Sequence, residues 1–214
     1  MGKISPEIFN FPPPEEASAD GLLAFGGSLC EEALLQAYQQ GIFPWYDDKN
    51  PIIWWSPDPR MILFPDDFHT SKRLSRRIKQ KKLQMSHDQA FREVMLACAQ
   101  PRKDQDSTWI ISDMVDAYCT MFERGHGFSI EIWEEGQLCG GVYGLHIGKA
   151  WFAESMFHTR IDASKIALFH LVERVKSEHG HFIDCQMHTS HLASLGAKEI
   201  SRSSYLELLA KATA

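Results

Sequence analysis

The amino-acid sequence predicts an α+β fold, and three observations lead there. Helix-spaced apolar stripes with start and stop signals occupy much of the first 124 residues. Two alternating segments then flank a turn, EEGQ at 134–137, which reads as a hairpin. A long helical stretch follows, and after it another short strand. Helices first, a meander of strands, a helix and a further strand make up this class.

Taken in order, Ser28 with Glu31 and Glu32 starts the first helix, Leu34, Leu35 and Tyr38 form its apolar stripe, and Gly41 stops it. Residues 43–59 (FPWYDDKNPIIWWSPDP) hold four prolines, which exclude continuous helix. The expected division is a small N-terminal domain over 1–58 and a larger one over 59–214. Residues 61–64 read as a short strand and 72–82 as a basic helix or helix end. Residues 88–98 read as a helix capped by Asp88, and 112–124 as another. Strands are expected at 128–133, 138–146, 151–156 and 181–187. Asp162 is the expected cap of a helix over 163–178, with Ile166, Phe169, Val172 and Val175 inward. A last helix is expected over 203–211.

With 214 residues and 44% hydrophobic content the chain can bury a real core. It has no run of eighteen apolar residues, and its first residues (MGKISPEIFNFPPPEE) lack the apolar stretch of a secretory signal. Five cysteines without CxxC spacing suit reduced thiols, so a cytoplasmic protein is expected. The net charge is −6, but residues 72–82 (KRLSRRIKQKK) hold seven of the 22 basic residues and no acid. That run offers a patch to phosphates, or else is a solvated helix face.

Four groups of residues are candidates for chemistry. In FIDCQ (182–186), Asp184 and Gln186 share one strand face. A carboxylate there accepts the amide NH2 and turns the amide oxygen outward, toward an incoming amine; the plain alternative is a buried polar pair. In WFAESM (151–156), Glu154 stands between Phe152 and Met156 on one face, poised by apolar surface or simply exposed at an edge. Trp45, Trp54, Trp55 and Trp109 either stack on a base or pack two domains together. Cys185, His188 and His191 have a spacing that invites a metal, but strand alternation parts Cys185 from His188. No metal and no cofactor are expected.

GLLAFGGSL (21–29), GIFPWY (41–46), WWSPDPR (54–60), TWI (108–110), GGVYG (140–144), ESMF (154–157), ASK (163–165), IDCQ (183–186) and HTSHLASLGAKEI (188–200) stand in one order and spacing. In this the chain resembles the leucyl/phenylalanyl-tRNA–protein transferase family over nearly its whole length. The resemblance implies a small N-terminal α/β domain and a C-terminal acetyltransferase-like (GNAT-type) domain. It implies transfer of Leu or Phe, Met less well, from aminoacyl-tRNA to proteins with N-terminal Arg or Lys, marking them for N-end-rule degradation. It implies Asp184 and Gln186 as catalytic residues with Glu154 beside them, Trp45 and Trp109 as the holders of the terminal adenosine, and Val142, Trp151, Met156, Leu171 and Ile183 as the side-chain pocket. It places Lys72, Arg76 and Lys79 on the tRNA acceptor stem. Val142 and Leu171 stand where methionine and phenylalanine occur in such enzymes, so a reshaped pocket is expected. A monomer is expected.

The chemistry is consistent with that implication. An aminoacyl ester is already activated, and about one α-amine in seven is neutral at pH 7. Alignment then supplies most of the rate, on the order of 7–11 kcal/mol. The expected route is direct attack, with Asp184 orienting Gln186, the Gln186 amide oxygen accepting an N–H from the amine, the Asp184 carboxylate favouring the ammonium that develops, and Glu154 holding a substrate. Two rivals differ in kind. A CoA-dependent N-acetyltransferase needs a glycine-bearing pyrophosphate loop before its long helix, where this chain reads HTRIDA (158–163). A non-catalytic tRNA-binding module would bind tRNA whether charged or not. An enzyme of peptidoglycan bridges would also use charged tRNA, but on a cell-wall amine.

Overall fold

A three-stranded sheet and a seven-stranded sheet organise the chain. The computed structural model describes residues 10–80, 82–101 and 108–214. Lys81 of the basic run lies outside them, as do residues 1–9 of the stretch tested for a secretory signal. The first part runs through β1 (Leu22–Phe25), α1 (Glu31–Gln39), β2 (Phe43–Pro44), β3 (Ile53–Trp55), β4 (Arg60–Leu63), α2 (Lys72–Lys79) and β5 (Gln84–His87). Then come α3 (Phe91–Cys98), α4 (Ser112–Glu123), β6 (Gly127–Glu134), β7 (Gln137–Ile147), β8 (Ala150–His158) and α5 (Ala163–Ser177). The chain closes with β9 (Phe182–Gln186), α6 (Ser190–Ala193), β10 (Lys198–Ile200) and α7 (Arg202–Thr213).

The small sheet has the order β1-β3-β2, and the large one β10-β4-β9-β8-β7-β6-β5. Neighbours in the large sheet are antiparallel except β8 and β9, which run parallel. The α+β class is therefore as the sequence predicts. Residue 58 falls between β3 and β4, strands of different sheets. Even so, Leu34, Tyr38 and Trp54 from the first 58 residues share one buried cluster with Tyr118, Phe152 and Tyr205. No helix is long and apolar enough to cross a membrane, among the described residues.

Several local expectations shift. Asp88 does not cap α3. It sits at φ 58°, and its carboxylate accepts the Ser129 N–H of β6, while Ala90 precedes the helix. Asp162 does hold the N-cap position of α5, as expected, but without capping it through its side chain. It is left-handed, its side chain makes no capping bond, and it faces Arg73 and Arg77 of α2 at 3.4 Å. In both cases the side chain goes to a partner distant in sequence and not to the N–H groups of the helix next door. Short strands at β2, β3, β5 and β10 and the single-turn α6 carry too few residues for a periodicity signal.

The glycines of GGVYG have a packing reason. A Cβ on Gly140 would come within 2.6 Å of the Ala163 Cβ, so the start of α5 packs directly on the β7 backbone. That contact brings the beginning of α5 against the strands that line the main cavity.

Candidate active site

β8 and β9 pair only at Ala150–Phe182, Trp151–Ile183 and Phe152–Asp184. Both strands then continue, β8 to His158 and β9 to Gln186, without pairing with each other. Two parallel strands that part at their carboxyl ends leave a crevice, the usual place for a ligand in sheets of this kind. A cavity of about 870 Å³ opens there. That volume suits a substrate of a few dozen heavy atoms.

Two irregularities aim side chains into it. Across β7 and β8, Tyr143 pairs with Ser155 and Gly144 with Ala153, which leaves Glu154 as the extra residue of a bulge. A bulge breaks strand alternation and re-aims its residue. Consecutive residues from Ala153 to Thr159 line the cavity as a result. On β9, Met61 of β4 pairs with Gln186 and Ile62 with Asp184, so Cys185 is bulged in turn. Gln186 then adopts φ 62°, a left-handed conformation that a non-glycine residue holds only under constraint.

Asp184 supplies that constraint. Its Oδ1 accepts the Gln186 backbone N–H at 2.8 Å and Arg60 Nε at 2.9 Å. Its Oδ2 accepts Arg60 Nη2 at 2.7 Å and the Tyr205 hydroxyl at 2.6 Å. Arg60 also donates Nη1 to the Gly41 carbonyl at 3.0 Å, and lies against the Phe43 and Tyr205 rings. Burial opposes the Arg60 charge, but Asp184, Tyr205 and Tyr38 together outweigh it, and the guanidinium is held above its ordinary pKa. Asp184 is fully buried and does not line the cavity.

Glu154 is placed differently. Its Oε1 accepts the Tyr38 hydroxyl at 2.8 Å and its Oε2 accepts Gln186 Nε2 at 3.0 Å. Behind Tyr38 its hydroxyl contacts that of Tyr118. Burial pushes the Glu154 carboxyl up to about 7, against the pull of both hydrogen bonds. Burial, with Glu154 adding to it, also holds Tyr38 well above its ordinary range, so Tyr38 stays a protonated donor. The expected Asp184–Gln186 side-chain bond is therefore corrected. Glu154 receives the Gln186 amide N–H, whereas Asp184 receives the backbone N–H. The bond to Glu154 uses the Gln186 amide nitrogen and leaves its oxygen out.

Of the residues expected at a substrate site, Trp45, Trp109, Val142 and Met156 line the cavity together with Glu154 and Gln186. Trp151, Leu171 and Ile183 do not. They are buried in the cluster that contains Val142 and Leu168 and carries Met156 on its edge, one layer behind the cavity wall. Leu168, which no motif singled out, lines the wall in their place. Lys72, Arg76 and Lys79 are exposed on α2, while Arg73 and Arg77 face Asp162 in the loop that follows β8. Cys185, at the bulge, and His191 of α6 also line the cavity. Burial pushes the Cys185 thiol far up, so it is a poor nucleophile.

Comparison with known proteins gives the family. The profile of the leucyl/phenylalanyl-tRNA protein transferases matches residues 62–210, and that of their N-terminal domain residues 27–58. This chain belongs to the leucyl/phenylalanyl-tRNA–protein transferase family. The curated family member of Nitrosomonas eutropha is 50% identical over 205 residues, covering 95% of this chain and 88% of its own. That of Chromobacterium violaceum is 49% identical over 201 residues, covering 93% and 86%. Among solved structures, a GCN5-related N-acetyltransferase from Kribbella flavida superposes with a TM-score of 0.43 at 10% identity, covering 77% of this chain and 58% of its own.

Sequence reasoning missed Tyr38, Arg60, Tyr118 and Tyr205 as parts of the site. A signal existed for two of them. An arginine opening the apolar strand RMIL needs a buried anion, and a tyrosine in the inward stripe of α1 needs a partner for its hydroxyl.

Proposed function

We propose that the chain transfers Leu or Phe, Met less well, from aminoacyl-tRNA to the α-amine of proteins with N-terminal Arg or Lys. The observation that carries this is the pairing of Glu154 with Gln186 on the wall of a cavity that Trp45 and Trp109 also line. Family membership supports it through the names its relatives carry.

In this proposal the terminal adenosine stacks on Trp45 and Trp109, and the aminoacyl side chain lies against Val142, Met156 and Leu168. Trp151, Leu171 and Ile183 stiffen that wall from behind. Lys72, Arg76 and Lys79 take the acceptor stem. The peptide amine attacks the ester carbonyl. A C–N bond forms, the C–O bond to the ribose breaks, and one amine proton ends on the departing ribose oxygen. The Gln186 amide oxygen accepts an N–H of the amine and so aims its lone pair. Glu154, ionised above about pH 7, favours the positive charge that grows on nitrogen. A carboxyl with that value is also matched to receive and return the proton near neutral pH. Asp184 acts at one remove, by fixing the β9 end that presents Gln186.

We place the protein in the cytoplasm, as a monomer, and its products in N-end-rule degradation. The division into an N-terminal part over 1–58 and a catalytic part over 59–214 belongs to the same proposal. The test is direct. Mixed with Leu-tRNA or Phe-tRNA and a peptide beginning with Arg, the protein adds one residue by mass spectrometry, and a peptide beginning with Ala stays unmodified. Unchanged Arg peptide with either charged tRNA sinks the proposal.

A further inference from the structure

Glu154 is held from outside its own sheet. Tyr38 belongs to α1, and its hydroxyl meets Glu154 Oε1 at 2.8 Å across 116 positions of sequence. Tyr118 of α4 stands behind it, hydroxyl to hydroxyl. Since Tyr38 gives its proton to the carboxylate, its oxygen is free to accept, and Tyr118 is the donor. Two phenols in series polarise one another, which strengthens the terminal bond. Both hydroxyls are deeply buried, so neither proton is exchanged cheaply for a bond to water.

The scaffold around Tyr38 is fixed on three sides. Its ring meets Phe152 of β8 edge-on at 4.9 Å. The Gly41 carbonyl, just past the end of α1, is tied to Arg60 at 3.0 Å. Arg60 in turn is tied to Asp184, whose backbone partner is Gln186. The charged and titratable groups that face Glu154 are thus Tyr38, Tyr118 and Tyr143 on one side, and Asp184 and Arg60 on the other. None of the phenols carries a charge, and the hydrogen bonds that hold the carboxylate come from Tyr38 and Gln186.

We propose that Tyr38, backed by Tyr118, is a positioning residue for the transfer reaction, fixing the orientation and charge of Glu154 from the N-terminal segment. This rests on the transferase function proposed above. It makes the N-terminal segment a part of the catalytic machinery, beyond any role in holding tRNA. A Tyr38 present only to fill space would serve equally well as phenylalanine.

The test is Tyr38→Phe and Tyr118→Phe, each alone and in a Glu154→Gln background. Transfer from Phe-tRNA to an Arg-initiated peptide is followed from pH ~5.5 to ~9. Phenylalanine keeps the ring and its contact with Phe152. Loss of a donor to the charged form disfavours that form, so the acidic limb of the Tyr38→Phe profile moves up by about one pH unit. Its rate below pH 7 falls about tenfold, while KM for charged tRNA is unchanged. Tyr118→Phe moves the limb in the same direction by less, because it acts through Tyr38. In the Glu154→Gln background neither substitution moves it. An unmoved limb in folded Tyr38→Phe, with loss spread evenly over pH or confined to KM for tRNA, overturns the proposal. If Tyr38→Phe fails to melt cooperatively, Tyr118→Phe decides by the same criterion. Absence of transfer by the wild type counts against the function and leaves the geometry of Tyr38 aside.

Discussion

Asp184 and Glu154 are both buried carboxyl groups in one network, yet they are balanced in different ways. Asp184 faces a full positive charge in Arg60, with bonds from Tyr205 and the Gln186 backbone completing its shell. Glu154 faces the neutral donors Tyr38 and Gln186, and burial raises it to about 7. A buried charge with a partner charge is a structural element; removing either side strands the other. A buried carboxyl hydrogen-bonded only by neutral donors sits near its own titration point, where protonation is cheap in both directions. Position within the cavity agrees, because Glu154 lines it and Asp184 does not.

The largest expected effect falls on the Asp184 side. Asp184→Asn leaves the Arg60 charge buried and unmatched, and unfolding stability falls by about 3–5 kcal/mol in a denaturant titration. The remaining folded enzyme should transfer more slowly, with its pH midpoint lowered, because the Asp184 charge that helps raise Glu154 is gone and Arg60 is left unmatched. An Asp184→Asn protein as stable as the wild type, with a raised midpoint, would reverse the two roles.

Next comes Glu154→Gln. Transfer should fall about a hundredfold, and the rise of rate through pH ~7 should disappear, leaving only the ionisation of the acceptor amine. Stability should move the other way. The folded-state value of Glu154 is raised, so its stabilising contribution is complete below the unfolded value near 4.5 and is lost as pH rises through about 7. Replacing it with glutamine should therefore raise the melting temperature at pH ~8, by up to about 3 kcal/mol in equivalent stability, with the gain vanishing below pH ~5. A melting temperature that drops at pH ~8 would place Glu154 with the structural carboxylates.

Smaller effects are expected at the rim. Trp45→Ala or Trp109→Ala should raise KM for charged tRNA by about tenfold or more, the equivalent of about 1–3 kcal/mol of stacking, with the pH midpoint unchanged. Replacing Lys72, Arg76 and Lys79 together by alanine should lower the log–log salt dependence of tRNA binding by about 2 to 3. Neither change should disturb the contrast between the two carboxyls; a shifted midpoint in either would connect the rim to Glu154.

Much of this was legible in the sequence. The hairpin at 134–137, the long helix before β9 and the strand FIDCQ all stand where local pattern places them. Glu154 was visible as a carboxylate between large apolar residues, and Trp45 and Trp109 as tryptophans outside regular elements. What was not legible was direction. Strand alternation puts Asp184 and Gln186 on one face, but the bulge at Cys185 and the left-handed Gln186 turn them to different partners. Alternation likewise predicts nothing of the bulge at Glu154, because that depends on how β7 registers against β8.

The sequence by itself thus determined the elements and the inventory of reactive groups, since helix and strand periodicities are properties of neighbouring residues. Only the tertiary structure decided which group balances which. Arg60 meets Asp184 across 124 positions, and Tyr38 meets Glu154 across 116. Pairings at that separation follow from the order of strands in the sheet and from the seating of α1. No local pattern carries that information, and it is what separates a structural carboxylate from a reactive one.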